Sequence, residues 1–340
     1  VPPRLKSALS LAASLALAAG LLWLALRDAD LEAVGAALAA GAWGWAVPFV
    51  AVALVSVVVR AWRWGLLIRA LPGRPQVGLG LTSAAVAVGY LVNYAAPRLG
   101  EVARTAAVAR GTEASFSAVL GTVVAERLLD VVALAAVLVG VAVAYRDRFG
   151  AVWAEAGAGV GTLLGAVPTV AAVALAVAAL VAVGAWAALR RRRSGGPGRL
   201  AELAAAFRDG LATLLRTGRA PALVASTALL WTCYAVMTDL PFRLLGLSGP
   251  YGLGLGEAWA VMAVGGIGMA LPAPGGTGSF HYATVLALTL LFAVPATPAA
   301  TYAILVHAAG LVFYAVLGGA ALVWRGASLR ALTRTPADAR

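Results

Sequence analysis

Three short stretches combine ionisable or turn-forming residues with apolar flanks, and each could do chemistry. The first is Asn93-Tyr94-Ala95-Ala96-Pro97-Arg98-Leu99-Gly100-Glu101-Val102-Ala103-Arg104. Pro97 opens a helix well, because its missing N–H would be unsatisfied there anyway. The free N–H groups of such a helix start suit a phosphate. Arg98 and Arg104 add cationic donors, and Glu101 and Arg104 can pair at i, i+3 spacing. The competing reading is a loop whose charges are solvated. The second stretch is Glu126-Arg127-Leu128-Leu129-Asp130. Glu126 and Asp130 share a helix face at i, i+4, and Arg127 can reach Asp130. The third is Pro272-Ala273-Pro274-Gly275-Gly276-Thr277-Gly278-Ser279. Gly275, Gly276 and Gly278 allow backbone to approach a ligand closely, and Thr277 and Ser279 can cap a following helix. No Lys follows these glycines, so this is not a nucleotide-binding loop.

The sequence contains two histidines, His281 and His307, each in an apolar run. A zinc site needs more ligands than they supply. They are either hydrogen-bonded structural groups or a shared polar site whose titration could couple protons to movement. Arg60, Arg63 and Arg69 lie at the end of another apolar run. Their default role is to snorkel toward lipid phosphates, with Arg60 the deepest and the candidate for an inward position. Asp239 and Arg243 form an i, i+4 structural pair. No Ser/His/Asp arrangement on a nucleophile elbow and no Walker sequence is present. The sequence reads as a non-enzyme without cofactors, and any work must draw on gradients rather than ATP.

The elements that position these residues follow from composition. Of 340 residues, 62% are hydrophobic and only 12% charged, against roughly 25% charged in soluble domains. Such a chain cannot cover a water-facing surface, and it is too apolar to be disordered. Its single cysteine, Cys233, excludes an intrachain disulfide. The net charge of +12 is read as topology rather than as nucleic-acid binding. The run Ala8–Leu26 follows Arg4 and Lys6 and exceeds the roughly 7–15 apolar residues of a signal peptide, so it is predicted to be an anchor helix.

Predicted helices cover about 5–26, 42–68, 117–145, 162–189, 221–247 and 301–324. Two further apolar stretches break at Pro97 and at Pro272–Gly276. Leu79–Tyr94 is about 24 Å long as a helix, short of a roughly 30 Å hydrocarbon core. Each broken stretch therefore reads as a re-entrant pair, about 79–110 and 257–294, with irregular backbone sheltered by protein or lining a wet cavity. The predicted fold is an all-α polytopic membrane protein: an inverted repeat of about six full transmembrane helices plus two re-entrant helical pairs. Residues 1–150 form the first repeat and 151–330 the second. A cytoplasmic linker at 190–219 carries a short amphipathic helix at 199–215, and 331–340 form a basic tail. With both termini cytoplasmic, 22 of the 26 Lys and Arg residues fall on the inner side, as the positive-inside rule requires. Matched breaks in two inverted halves point to the substrate site of a transporter. To cross, the helix ending at Tyr145 must draw Glu126, Arg127 and Asp130 into the hydrocarbon, where ionisable groups are costly and functional. A structural ion cluster that locks this helix to the Arg98–Arg104 helix remains the plainer alternative.

Arg60-Ala61-Trp62-Arg63-Trp64, Asn93 with Pro97-Arg98-Leu99-Gly100-Glu101 and Arg104, Glu126-Arg127-Leu128-Leu129-Asp130 and Pro274-Gly275-Gly276-Thr277-Gly278 occur in this order. In this the chain resembles the lysylphosphatidylglycerol synthase transmembrane (flippase-like) family, the membrane part of the multiple peptide resistance factor. The resemblance implies movement of a lipid headgroup between leaflets of the bacterial cytoplasmic membrane. It implies no synthesis here, because the synthase domain is not expected. The family pattern has a Glu where this chain has His281 and an Arg where it has His307. That exchange suggests the two positions meet, and it puts a cationic lysyl-lipid in doubt. The predicted ligand is an anionic or aminoacylated phospholipid held between the broken helices. Arg98, Arg104 and Arg127 would take anionic oxygens; Glu101, Glu126 and Asp130 would orient them; Gly275–Ser279 would give backbone donors. Rival readings are a secondary transporter of a small polar solute and a membrane-embedded enzyme or scaffold acting on lipid-linked intermediates. A homo-oligomer and a separately encoded lipid-modifying enzyme are the protein partners this scheme admits.

Overall fold

The computed structural model describes residues 3–95, 99–148, 205, 208–271 and 273–324. The predicted helix 162–189, residues 199–204 and 206–207 of the predicted amphipathic helix, Arg98 and the basic tail lie outside them. Among the described residues the chain is helical and without strands. The main helices are α1 (Pro3–Leu26), α2 (Leu31–Ala39), α3 (Ala46–Arg69), α4 (Leu79–Ala95), α5 (Leu99–Arg110), α6 (Phe116–Ala144), α7 (Ala220–Leu244), α8 (Leu255–Ala270), α9 (Ser279–Phe292) and α10 (Ala296–Trp324).

Four stretches are long and apolar enough to cross a membrane: Trp43–Arg69, Phe116–Ala144, Ala220–Leu244 and Ala296–Trp324. Shorter apolar helices cover Ser14–Leu26, Leu79–Tyr94 and Leu255–Ala270. The outer faces of the long helices carry exposed Val47, Leu54 and Val58 on α3, Val132, Val139 and Val143 on α6, and Val312, Val316 and Val323 on α10. Water would penalise such a surface by roughly 25 cal/mol per Å², whereas hydrocarbon does not. Trp43 and Trp45 at one end of the first long stretch and Trp62 near the other are exposed, as interfacial belts require. Trp64 is fully buried instead, so it is a packing residue.

Local signals set the helix ends. Asp30 accepts from the Glu32 and Ala33 amides at 2.9 and 3.2 Å and so starts α2, which lies between the predicted helices 5–26 and 42–68. Ser115 accepts from the Ala118 amide at 3.3 Å to start α6. The Glu257 carboxylate accepts from the Gly254 amide at 3.1 Å to fix the start of α8. Thr277 and Ser279 do not cap α9. Gly278 occupies the cap position with no side-chain cap bond, and the Ser279 hydroxyl donates back to the Gly276 carbonyl at 3.2 Å.

The helices pack in a pattern with matching halves. α3 lies along α7. α4 packs on α3 and α8 on α7; α4–α5 and α8–α9 are hairpins. α6 lies against α5, α3 and α8, while α10 lies against α9, α7 and α4. α1 packs on α9 and α2 on α10. Close approach needs glycine at several contacts between elements, Gly100 and Gly278 among them. A Cβ at Gly100 would overlap the Gly89 carbonyl oxygen across the first hairpin. A Cβ at Gly278, where φ is +79°, would overlap the Ala18 carbonyl oxygen of α1.

Candidate functional site: a buried ion network and a glycine–histidine turn

α3 brings Arg60 and Arg63 to one face, α6 brings Glu126, Arg127 and Asp130, and α5 brings Glu101 and Arg104. Their side chains form one network. Glu126 accepts from Arg60 at 2.6 Å, Arg104 at 2.7 Å and Arg63 at 3.4 Å. Asp130 accepts from Arg63 at 2.6 Å and Arg60 at 2.9 Å, with Arg127 at 3.6 Å. Arg127 donates to Glu101 at 2.7 Å. The pair expected within α5 is therefore replaced by two pairs across to α6: Arg104 with Glu126, and Glu101 with Arg127. Glu126 and Arg63 are fully buried, and Arg104 and Arg60 are 3% and 4% exposed. Neither Arg60 nor Arg63 snorkels, and Arg69 at the end of α3 donates to the Val77 carbonyl at 3.0 Å. Burial costs several kcal/mol per ion unless each is paired, which explains why Glu126 has three cationic partners.

Neutral groups complete the shell. Arg63 donates to Thr227 Oγ1 at 3.0 Å and Arg60 to the Tyr234 hydroxyl at 3.2 Å, both on α7. Trp64 donates its indole N–H to Thr122 at 3.0 Å, and the Arg104 guanidinium stands 4.7 Å from the Trp64 ring centroid, a cation–π distance. The Asn93 side-chain oxygen accepts from the Gly100 amide at 2.8 Å, so Asn93 holds the bend between α4 and α5.

Four arginines face three carboxylates, leaving one positive charge in excess. Three atoms of the network are buried without a hydrogen bond: Arg63 Nε, Arg104 Nη2 and Glu101 Oε2. Arg104 and Glu101 line a narrow cleft together with Arg60, Tyr90, Asn93 and Arg127 and with Val86, Gly89 and Gly100. An unpartnered guanidinium N–H beside excess positive charge fits an anionic oxygen. The free carboxylate oxygen beside it fits a donor on the same ligand.

The second group gathers at the Pro274–Gly276 turn and the start of α9. His281 and His307 meet with ring centroids 4.7 Å apart. His307 Nε2 lies 3.4 Å from the Thr277 hydroxyl, and the Gly278 amide donates to His281 Nδ1 at 3.4 Å. The Gly276 and Thr277 amides donate to the Ala273 and Pro274 carbonyls. In this arrangement three of the expected backbone donors are engaged inside the turn.

The two groups do not share one cleft. Residues that the sequence did not single out bridge them. Tyr94 sits against Gly275, whose Cβ would lie 3.5 Å from the Tyr94 Cα, and its ring is 5.8 Å from His307. Tyr90, one turn earlier on α4, stacks on Tyr314 of α10 at 4.3 Å and approaches the Tyr234 hydroxyl at 3.5 Å. The available signal was the i, i+4 spacing of Tyr90 and Tyr94 and the i, i+7 spacing of His307 and Tyr314. Asp239 and Arg243 pair at 2.8 Å as expected.

A bundle of long apolar helices around a buried ionic network defines a polytopic helical membrane protein. Residues 11–318 match the family model described as lysylphosphatidylglycerol synthase TM region, and the chain belongs to that family. No curated protein and no solved structure matches it.

Proposed function

We propose that this protein moves a phosphate-bearing membrane lipid between leaflets without hydrolysing ATP. One observation carries the reading: a buried network of four arginines and three carboxylates leaves Arg104 Nη2 without a hydrogen-bond partner, in a residue that lines a cleft. The lipid phosphate would dock on Arg104 and Arg127, with Arg98 nearby in sequence. Glu101 would accept from a hydroxyl or ammonium of the same headgroup. Glu126 and Asp130 hold the arginines in place, and Arg60 closes the cleft toward α7. The family's printed description, a lysylphosphatidylglycerol synthase TM region, supports a lipid ligand.

An inverted repeat supports movement rather than mere binding. Pairing α3 with α7, α4 with α8, α5 with α9 and α6 with α10 maps the packing of one half onto the other, including the crossed contacts of α6 with α8 and α10 with α4. On this reading α4–α5 and α8–α9 are re-entrant hairpins in the cytoplasmic membrane with both termini inside, and their turns meet at Tyr94 and Gly275. Broken helices at matched positions are where substrate binds in such folds.

The test is native mass spectrometry of the purified chain together with translocation of a fluorescent phosphatidylglycerol in proteoliposomes. Wild type should retain phospholipid and accelerate its exchange between leaflets; Arg104→Ala and Arg127→Ala should lose both. Retention and exchange that are indifferent to both variants would overturn the site.

A further inference from the structure

We infer that His281 and His307 form a binding site for one proton, placed on His307, at the point where the glycine turn meets α4. Two positive rings 4.7 Å apart would repel, so the first proton opposes a second. The surroundings decide which ring takes it. His281 Nδ1 accepts from the Gly278 amide and must keep its lone pair. A proton there would set N–H against N–H at the positive end of α9. His307 Nε2 faces the Thr277 hydroxyl, which accepts as readily as it donates. The Tyr94 ring lies 5.8 Å from His307, whereas Phe280 stands about equally far from both histidines, at 5.9 and 6.0 Å.

Among the described residues, no charged side chain is in contact with the pair. α4 contributes Tyr94, and α1 presents backbone at Ala18 and Leu22. Carboxylates on the other helices packed around the pair are engaged or exposed. Glu257 of α8 holds the Gly254 amide and Tyr145, and Asp239 of α7 holds Arg243. At α2, Asp30 caps the helix and Glu32 is exposed. Taking up the proton turns the Thr277–His307 contact into a charge-assisted bond that fastens the turn to α10. Tyr94 is held between that turn and Gly310, since a Cβ at Gly310 would lie 2.8 Å from its hydroxyl. From Tyr94 the row Tyr314, Tyr90 and Tyr234 leads to Arg60. Proton occupancy is thereby linked to the cleft, and its coupling to lipid movement rests on the function proposed above.

The sequence has only two histidines, which makes the test direct. The chain is labelled with 15N-histidine, purified without a histidine tag and placed in nanodiscs of phosphatidylethanolamine and phosphatidylglycerol. Imidazole signals are followed from about pH 5 to pH 9, the range in which histidine changes charge. One ring should become charged and the other stay neutral; the titrating signal should vanish in His307→Gln and persist in His281→Gln. Two rings charging together, charge on His281 alone, or no titration would overturn the site. In proteoliposomes, wild-type translocation of fluorescent phosphatidylglycerol should vary with pH by up to about tenfold per unit, the limit for one proton. His307→Gln should flatten that profile. Translocation with an unchanged profile in His307→Gln would overturn the coupling alone. Absence of translocation in every chain would overturn the lipid reading and leave the nuclear magnetic resonance result standing.

Discussion

Glu126 is the residue on which the ionic network depends. It is fully buried and accepts from three arginines. Removing one partner of a buried ion pair costs about 3–5 kcal/mol, because the remaining charge stays buried. Glu126→Ala should therefore lower the unfolding midpoint by roughly 10 °C, measured by scanning fluorimetry of the purified protein. Glu126→Ala that melts with wild type would mean that the arginines find water or other partners. Arg127 behaves differently. Its side chain is 41% exposed, so screening limits its pairs to about 0–1 kcal/mol. Arg127→Ala should melt close to wild type yet lose retained phospholipid. A loss of stability comparable to that of Glu126→Ala would make Arg127 a structural residue rather than a ligand contact.

At the scale of elements, the meeting of the two turns can be tested by cross-linking. A Cβ at Gly275 would lie 3.5 Å from the Tyr94 Cα, which puts a Tyr94→Cys, Gly275→Cys pair within disulfide reach of about 3.5–4.5 Å between Cβ atoms. Made in a Cys233→Ser chain, the pair should cross-link under mild oxidation. The readout is protection of both thiols from alkylation; free thiols in both positions would separate the turns. Much of this arrangement was legible in the sequence. The breaks at Pro97 and Pro274 stood out because proline ends a helix and glycine permits the turn. Glu126 and Asp130 were recognisable because a helix of 14 apolar residues after Asp130 is too short to cross. Their partners were not recognisable. Arg63 reads as a snorkelling end residue, and only the packing of α3 against α6 turns it inward. The Asp30 cap is visible as an Asp ahead of an apolar run, yet the nine-residue helix it starts falls between the predicted helices 5–26 and 42–68. The occupied amides of Gly276, Thr277 and Gly278 depend on the fold of the turn itself, which spacing does not specify.

For the whole molecule, the proposed topology fixes which surface each connection reaches. α5 and α6 are joined at Gly111–Ser115 and α7 is preceded by Gly218 and Arg219; both connections are placed inside. Asp147 follows α6 and Gly249 follows α7, and both are placed outside. Charge supports this choice: Arg74, Arg110, Arg216 and Arg219 flank the inner connections, while Arg146, Arg148 and Arg243 are the described basic residues near the outer ones. The alternative, with α4–α5 and α8–α9 acting as ordinary crossings, would leave these positions on the same sides. Single-position labelling there tests orientation, and a further position is needed to test re-entrance. Gly78, at the start of α4, and Glu113, beyond α5, lie on the same side in either case, because two full crossings also bring the chain back. The discriminating position is the end of α4 at Tyr94, which two full crossings would carry to the outer surface and a re-entrant hairpin would keep within the membrane. Single cysteines replacing Gly78, Glu113, Gly218, Asp147 and Gly249 in a Cys233→Ser chain should split as follows when an impermeant maleimide is applied to intact cells. Asp147→Cys and Gly249→Cys should label at once, whereas the other three should label only after the membrane is opened. A Tyr94→Cys chain that labels from outside in intact cells would make α4 and α5 full crossings, and the two turns could then no longer be the opposed tips of a shared gate.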